Sequence, residues 1–268
     1  MPRAKRFYIP GYVWHITHRC HKKEFLLKFA RDRFRWLHWL FEARKRYALV
    51  ILDYMATSND IHLLVADNGS HNAIPKSMQL VAGRLGQEFN KRKNRKGAFW
   101  EDRYHATAIE TDQHLFQCIA YMDLNMVRAG VVSHPSDWNC TGYNEIQNPK
   151  QRYGLIDFQR LMDLLQIDGV EDLKSAHRGW VEESLRMKPP VREDKWTQSI
   201  AVGSEAFIKD TKSELGLRAK YRKIDQAGMS YQLREKQNSY NSNFAPENEV
   251  LSAENMYFWN GIANNSNS

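Results

Sequence analysis

Apolar and polar positions along the chain change their period several times, and each change marks an element. Gly11 to Cys20 carries Tyr12, Val13, Trp14, Ile16 and Thr17 in near alternation and predicts a strand. Phe29 to Tyr47 places Phe34, Trp36, Leu37, Leu40 and Phe41 at helical spacing. Ala48 to Ala56 is rich in β-formers, Thr57-Ser58-Asn59 is a turn cluster, and Ile61 to Val65 is a second apolar run, so this stretch predicts a hairpin. Ile74 to Lys93 returns to the helical period through Met78, Val81, Leu85 and Phe89. His105 to Ile109 then predicts a strand, and a helix capped by Thr111 or Asp112 runs to about Val127 on the stripe Leu115, Ile119, Met122 and Met126.

The order strand, helix, strand, strand, helix, strand, helix implies an α+β fold in which helices pack on one face of an antiparallel sheet, with a ferredoxin-like arrangement as the first expectation. This unit is expected over residues 1–148. Residues 149–224 predict a small helical accessory region, with helices over Phe158 to Leu165, Gly169 to Leu185 and Thr197 to Leu215, interrupted at Lys188-Pro189-Pro190. From Asp225 to Ser268 the composition turns to Gln, Asn, Ser and Glu, which predicts a disordered tail.

Composition narrows the class. A chain of 268 residues with 42% hydrophobic and 12% aromatic residues suits a globular protein with a full core. No apolar run approaches the roughly 18 residues of a membrane span, and the basic start is not followed by a signal-peptide core. Three scattered cysteines, Cys20, Cys118 and Cys140, form no C-x-x-C pair and fit reduced thiols in the cytoplasm, nucleoid-associated if the partner is DNA. A net charge of +8 points to a polyanion.

Candidate chemistry concentrates in two places. In a strand, Asp60 and His62 project to the same face, while in a helix Tyr121 and Asn125 are neighbours one turn apart. A carboxylate, an imidazole and an amide oxygen can together hold a hard divalent ion, Mg²⁺ or Mn²⁺, beside a tyrosine nucleophile. Taken singly these residues are ordinary: a helical tyrosine usually packs, and Asn125 could cap the helix ahead of Gly130. The basic loop Lys91, Arg92, Lys93, Arg95 and Lys96, with Arg84 before it and Trp100 and Arg103 after it, is either a solvated face or a groove that tracks a nucleic-acid backbone. His15, His18, His21 and Cys20 lack the spacing of a zinc site, and His15 reads instead as bordering a DNA site or packing in the sheet. His114 and Cys118 read as structural, and Arg218 to Lys223 as either phosphate contacts or an exposed helix end.

The segments Phe7 to Thr17, Thr57 to Leu64, Gly97 to Tyr104 and Tyr121 to Gly130 together resemble the REP-associated tyrosine transposases, relatives of the single-tyrosine transposases of the HUH superfamily. The likeness runs from about residue 7 to 145. It implies metal-assisted cleavage of single-stranded DNA next to a hairpin and a covalent 5′-phosphotyrosine intermediate. On that mapping Tyr121 is the nucleophile, and Asp60, His62 and Asn125 hold the ion. One position departs from the family pattern, which has histidine where this chain has Asp60. That change either alters metal preference or marks an impaired enzyme that still binds hairpins. Either a monomer or a homodimer is compatible with the resemblance. An RNA-binding module is a third reading, resting on charge and aromatics alone.

Overall fold

A computed structural model describes residues 9–187 and 192–234, all within one compact unit. The elements are β1 (Val13–Arg19), α1 (Ala30–Tyr47), β2 (Val50–Ala56), β3 (Asp60–Ala66), α2 (Ala73–Arg92), β4 (His105–Ile109), α3 (Gln113–Asp123), α4 (Asn125–Arg128), α5 (Gly142–Gln147), α6 (Phe158–Leu165), α7 (Val170–Met187), α8 (Lys195–Gln198), β5 (Ser199–Gly203), α9 (Glu205–Leu215), β6 (Lys223–Ala227) and β7 (Ser230–Arg234). Among the described residues the strands form one seven-stranded sheet in the order β2-β3-β1-β4-β5-β7-β6. All pairings are antiparallel except β4 with β5. The α+β class and the mostly antiparallel sheet follow the sequence expectation.

β1 lies between β3 and β4 and sets the register of the site. Thr17 stands opposite His62 on one side and His105 on the other, and Arg19 stands opposite Asp60. Because strand side chains alternate between faces, His15, Thr17, Asp60, His62, His105 and Thr107 share one face. The other face carries Trp14, Ile16, Leu63 and Tyr54, and receives α1 through the Trp36–Tyr54 ring contact. Trp36, Leu40 and Ala43 form the buried stripe of α1, which ends where Ala48 turns left-handed at φ 51°. α2 packs along α1, held also by the Arg35–Glu88 and Arg92–Asp32 ion pairs.

The expectation of helices on one face holds for α1 and α2. α3 covers the opposite face, where its Tyr121 meets the rings of His15 and His62. α3 is tied from behind by a buried chain of polar groups. Asp123 accepts from Thr141 Oγ1 at 3.0 Å and from His177 Nε2 at 2.7 Å, while Gln147 Nε2 donates to His177 Nδ1 at 2.9 Å. α5 sits so close to β2 that a side chain at Gly142 would collide with the Asp53 carboxyl group.

Beyond residue 187 the structure departs from the helical reading. Thr197 to Leu215, expected as helix, contains β5 between α8 and α9, and 225–234, expected as the start of the tail, belongs to the β6–β7 hairpin. Ile200, Ala201 and Val202 supply a short apolar run that satisfies the open edge of β4, a tertiary demand that overrides local propensity. The helix read through Val127 breaks at Leu124 into α3 and α4. Met1–Arg6, Phe7, Tyr8, Lys188-Pro189-Pro190 and the expected tail from 235 to 268 lie outside the described residues.

Candidate active site

β1, β3, α3, α4 and the segment leading into β5 meet at a cleft of about 670 Å³. Asp60, His62, Tyr121 and Asn125 all line it, together with Arg19, Arg103, Arg128 and Arg192. The two pairs expected from strand and helical spacing are therefore brought to one place. His62 Nε2 lies 3.0 Å from Asn125 Nδ2 and 3.9 Å from Asp60 Oδ1, and the Tyr121 ring centre is 6.4 Å from that of His62.

The protonation pattern follows from a backbone group. The Trp196 carbonyl can only accept, and His15 Nδ1 lies 2.9 Å from it, so that nitrogen carries the proton. Burial, then the neighbouring His62, holds the His15 imidazole well below its ordinary range, so the ring is neutral and Nε2 must accept. His62 Nδ1, 3.0 Å away, is then the donor. Burial, followed by Arg128, lowers His62 to about 3, so it too is neutral and its Nε2 presents a lone pair to the cleft. The Asn125 amide N–H donates to that lone pair.

This arrangement answers whether a cation suits the residues present. His62 Nε2 and the Asp60 Oδ1 atom lie 3.9 Å apart at the cleft. An imidazole whose other nitrogen is hydrogen-bonded, a carboxylate and an amide are a fitting donor set for a hard divalent ion. Asn125 would ligate through Oδ1, which requires its amide to turn. Among the described residues no group of three His, Cys, Asp or Glu side chains could hold a metal ion, so the set depends on Asn125. Asp60 is also engaged: its carboxylate accepts from the Thr57 hydroxyl and its N–H donates to Thr57 Oγ1 at 2.9 Å.

Tyr121 is only 6% exposed, yet it borders the cleft. Burial raises its phenol above the usual value, while Arg128 and then Arg192 pull in the other direction. The Arg128 guanidinium carbon stands 4.0 Å over the Tyr121 ring. The phenol is thus neutral at rest in a pocket whose cations favour its ionised form.

The basic residues read from the sequence scatter. Arg103 reaches the cleft. Arg84 lies over the Trp39 ring, Arg92 pairs with Asp32, Lys93 Nζ is 5.3 Å from the Phe29 ring centre, and Arg95 donates to the Ala98 carbonyl at 2.8 Å. Lys91 borders a separate shallow pocket between α1 and α2, and Lys96 is exposed. Trp100 stacks on His18 at 4.1 Å between ring centres and donates to the Ala82 carbonyl, so it serves packing at least as much as any ligand.

Sequence reasoning assigned no role to Arg128, Arg192 or the Trp196 carbonyl, and placed His15 only as bordering the site or packing in the sheet. Arg128 follows Tyr121 and Asn125 on one polar line and had a signal. His15 lies at an inward position of the first strand, but its pairing with His62 depends on register. Arg192 and the Trp196 carbonyl lie in the region read as accessory and gave no signal at all.

Residues 10–123 match the family described as IS200-like transposases. Among curated proteins none matches the chain. Among solved structures, a REP-associated tyrosine transposase bound to a REP hairpin is 16% identical, with a TM-score of 0.44 over 59% of this chain and 95% of that one. A proposed transposase from Deinococcus radiodurans R1 is 14% identical, with a TM-score of 0.30 over 39% and 83%. Both structural likenesses are distant, and the sequence match covers less than half of the chain. The residues that match the model of the IS200-like transposases, 10–123, supply β1 to β4 and Tyr121, and it is to this family that the chain is similar.

Proposed function

We propose that the protein cleaves and rejoins single-stranded DNA at hairpin-associated sites through a covalent link to Tyr121. The single observation that carries this reading is the convergence of Tyr121, Asp60, His62 and Asn125 on one arginine-lined cleft. Arg19, Arg103, Arg128 and Arg192 suit a phosphodiester backbone, which gains from charge-assisted hydrogen bonds to guanidinium groups.

In the proposed step the Tyr121 oxygen attacks phosphorus. The new O–P bond forms as the bond to the 3′ oxygen breaks, the phenolic proton is lost, and the departing 3′ oxygen gains a proton. The 5′ phosphate stays on Tyr121, and the ester energy is kept for rejoining to a 3′ hydroxyl. Arg128, stacked over the ring, favours the ionised phenol and the charge that develops on phosphate. His15 holds the His62 ring so that Nε2 faces the cleft. Asp60, His62 and Asn125 would hold Mg²⁺ or Mn²⁺, which when bound supplies Lewis-acid polarisation of the phosphate.

The test is direct. With a labelled single-stranded hairpin and Mn²⁺, wild-type protein is expected to form a denaturation-resistant protein–DNA adduct and Tyr121→Phe none. An adduct that persists in Tyr121→Phe overturns the assignment. A second reading, a hairpin-binding protein without cleavage, is favoured by one observation: Asp60 is already engaged by Thr57 and His62 Nε2 by the Asn125 amide. That reading expects no adduct from wild type and its appearance in Asp60→His.

A further inference from the structure

Between β1 and α1 the chain makes an unusual loop. Lys22 and Lys23 are consecutive non-glycine residues in the left-handed region, at φ 51° and 58°, a conformation that L residues adopt only when surrounding contacts enforce it. Those contacts come from both sides. On one side the Cys20 and Leu27 N–H groups donate to the carbonyls of Asn59 and Ser58, at 2.7 and 2.9 Å, in the turn that carries Asp60. On the other, the His21 N–H donates to the Phe99 carbonyl at 2.9 Å, and Glu24 pairs with Arg95 at 3.4 Å.

What this rigid loop displays is the informative part. Leu26 and Leu27 turn inward and are buried, whereas Phe25 is 58% and Phe29 57% exposed. Lys22, Lys23 and Lys28 are exposed around them, and the Lys93 ammonium lies 5.3 Å from the Phe29 ring centre. The acidic residue of the loop, Glu24, is already paired with Arg95. Two phenyl rings left in water contribute little to the core, and strained lysines contribute nothing to it. Exposed aromatic faces interleaved with ammonium groups on a fixed backbone are what a single strand needs, with rings to stack bases and cations to meet phosphates. The loop also continues from the cleft, since Arg19 and Asp60 line the cleft and the loop is bonded to the turn between Thr57 and Asp60.

We propose that Lys22, Lys23, Phe25, Lys28, Phe29 and Lys93 form a second binding surface, which takes unpaired nucleotides of a strand whose reacting phosphate occupies the cleft. This goes beyond the cleavage chemistry and rests on the reading of the cleft as a DNA site only for the direction in which the strand runs. The surface itself predicts affinity for single-stranded DNA whether or not Tyr121 reacts.

The experiment measures binding of a fluorescent oligothymidylate, which has no hairpin, to the full chain by anisotropy. The Phe25→Ala/Phe29→Ala variant is expected to bind at least about tenfold more weakly than wild type. Lys22→Ala/Lys23→Ala is expected to weaken binding and to flatten the slope of log affinity against log salt by about 0.7 for each phosphate no longer neutralised. Unaltered affinity in the phenylalanine variant, or no binding by wild type, overturns the proposal. So does a change of oligomeric state in sedimentation with unaltered DNA affinity, which would make the patch a self-association surface. The two readings separate cleanly. A wild-type adduct with unaltered binding in the phenylalanine variant defeats only this surface, and weakened binding in that variant with no wild-type adduct defeats only the cleavage reading.

Discussion

At the scale of single residues the most unusual group outside the cleft is Asp53. It is fully buried, and no side chain among the described residues hydrogen-bonds to its carboxyl oxygens. Burial, then Asp123, pushes its carboxyl well above the ordinary value, so the folded protein keeps it protonated where an unfolded chain would not. Between an unfolded value of about 3.9 and the raised folded value, the folded state binds the extra proton. Stability is therefore lost as pH rises through that window, at up to about 1.4 kcal/mol per unit. Asp53→Asn, which cannot ionise, should unfold at higher urea than wild type, with the gap wider at pH 8 than at pH 5. An equal gap at both values would show that Asp53 is not protonated in the folded state.

At the scale of elements, what the sequence disclosed depended on whether the cause was local. β4 is read to the residue because His105 to Ile109 alternates between turn signals, and α6 because Phe158 to Leu165 carries a strong helical stripe after Asp157, whose side chain accepts from the Arg160 N–H. The juxtaposition of Asp60 with His62, and of Tyr121 with Asn125, was legible for the same reason, since each lies within one element or one turn. β5 and β6 were not legible. β5 is short and sits among good helix formers, and β6 has no inward face to pattern, its residues being at least partly exposed. Their cause is a neighbouring strand.

α7 shows how a segment outside the matched region supports the site. His177 on α7 and Asp123, two residues from Tyr121, form a buried link whose loss leaves a carboxylate with Thr141 as its remaining side-chain partner. His177→Ala should lower the unfolding free energy by about 2–4 kcal/mol, read from urea titration. A loss under about 0.5 kcal/mol, the scale of ordinary surface changes, would mean the link does not hold α3 in place.

At the scale of the whole molecule, the sheet is continuous across the boundary expected between a catalytic unit and an accessory one. β4 pairs with β1 on one side and β5 on the other, and Trp196, fully buried just before β5, lies beside Tyr121 with ring centres 6.0 Å apart. A chain ending at Met187 would leave β4 as a bare edge and strip the cleft of Arg192, Thr197 and Gln198. It should elute as aggregate in size-exclusion chromatography. A monodisperse product that still forms the Tyr121 adduct would establish that residues 1–187 are self-sufficient.

The bond from His15 to the Trp196 carbonyl has a genetic corollary. Its acceptor is main chain, so no exchange of one amino acid for another at position 196 can delete the oxygen itself. Tyrosine or leucine there would still offer the same acceptor, provided the strand keeps its course. Insertions and deletions between 188 and 199 are a different matter, because sliding the segment by one residue would present a different peptide unit to His15. As far as this bond is concerned, position 196 should accordingly tolerate substitution better than the segment around it tolerates changes of length.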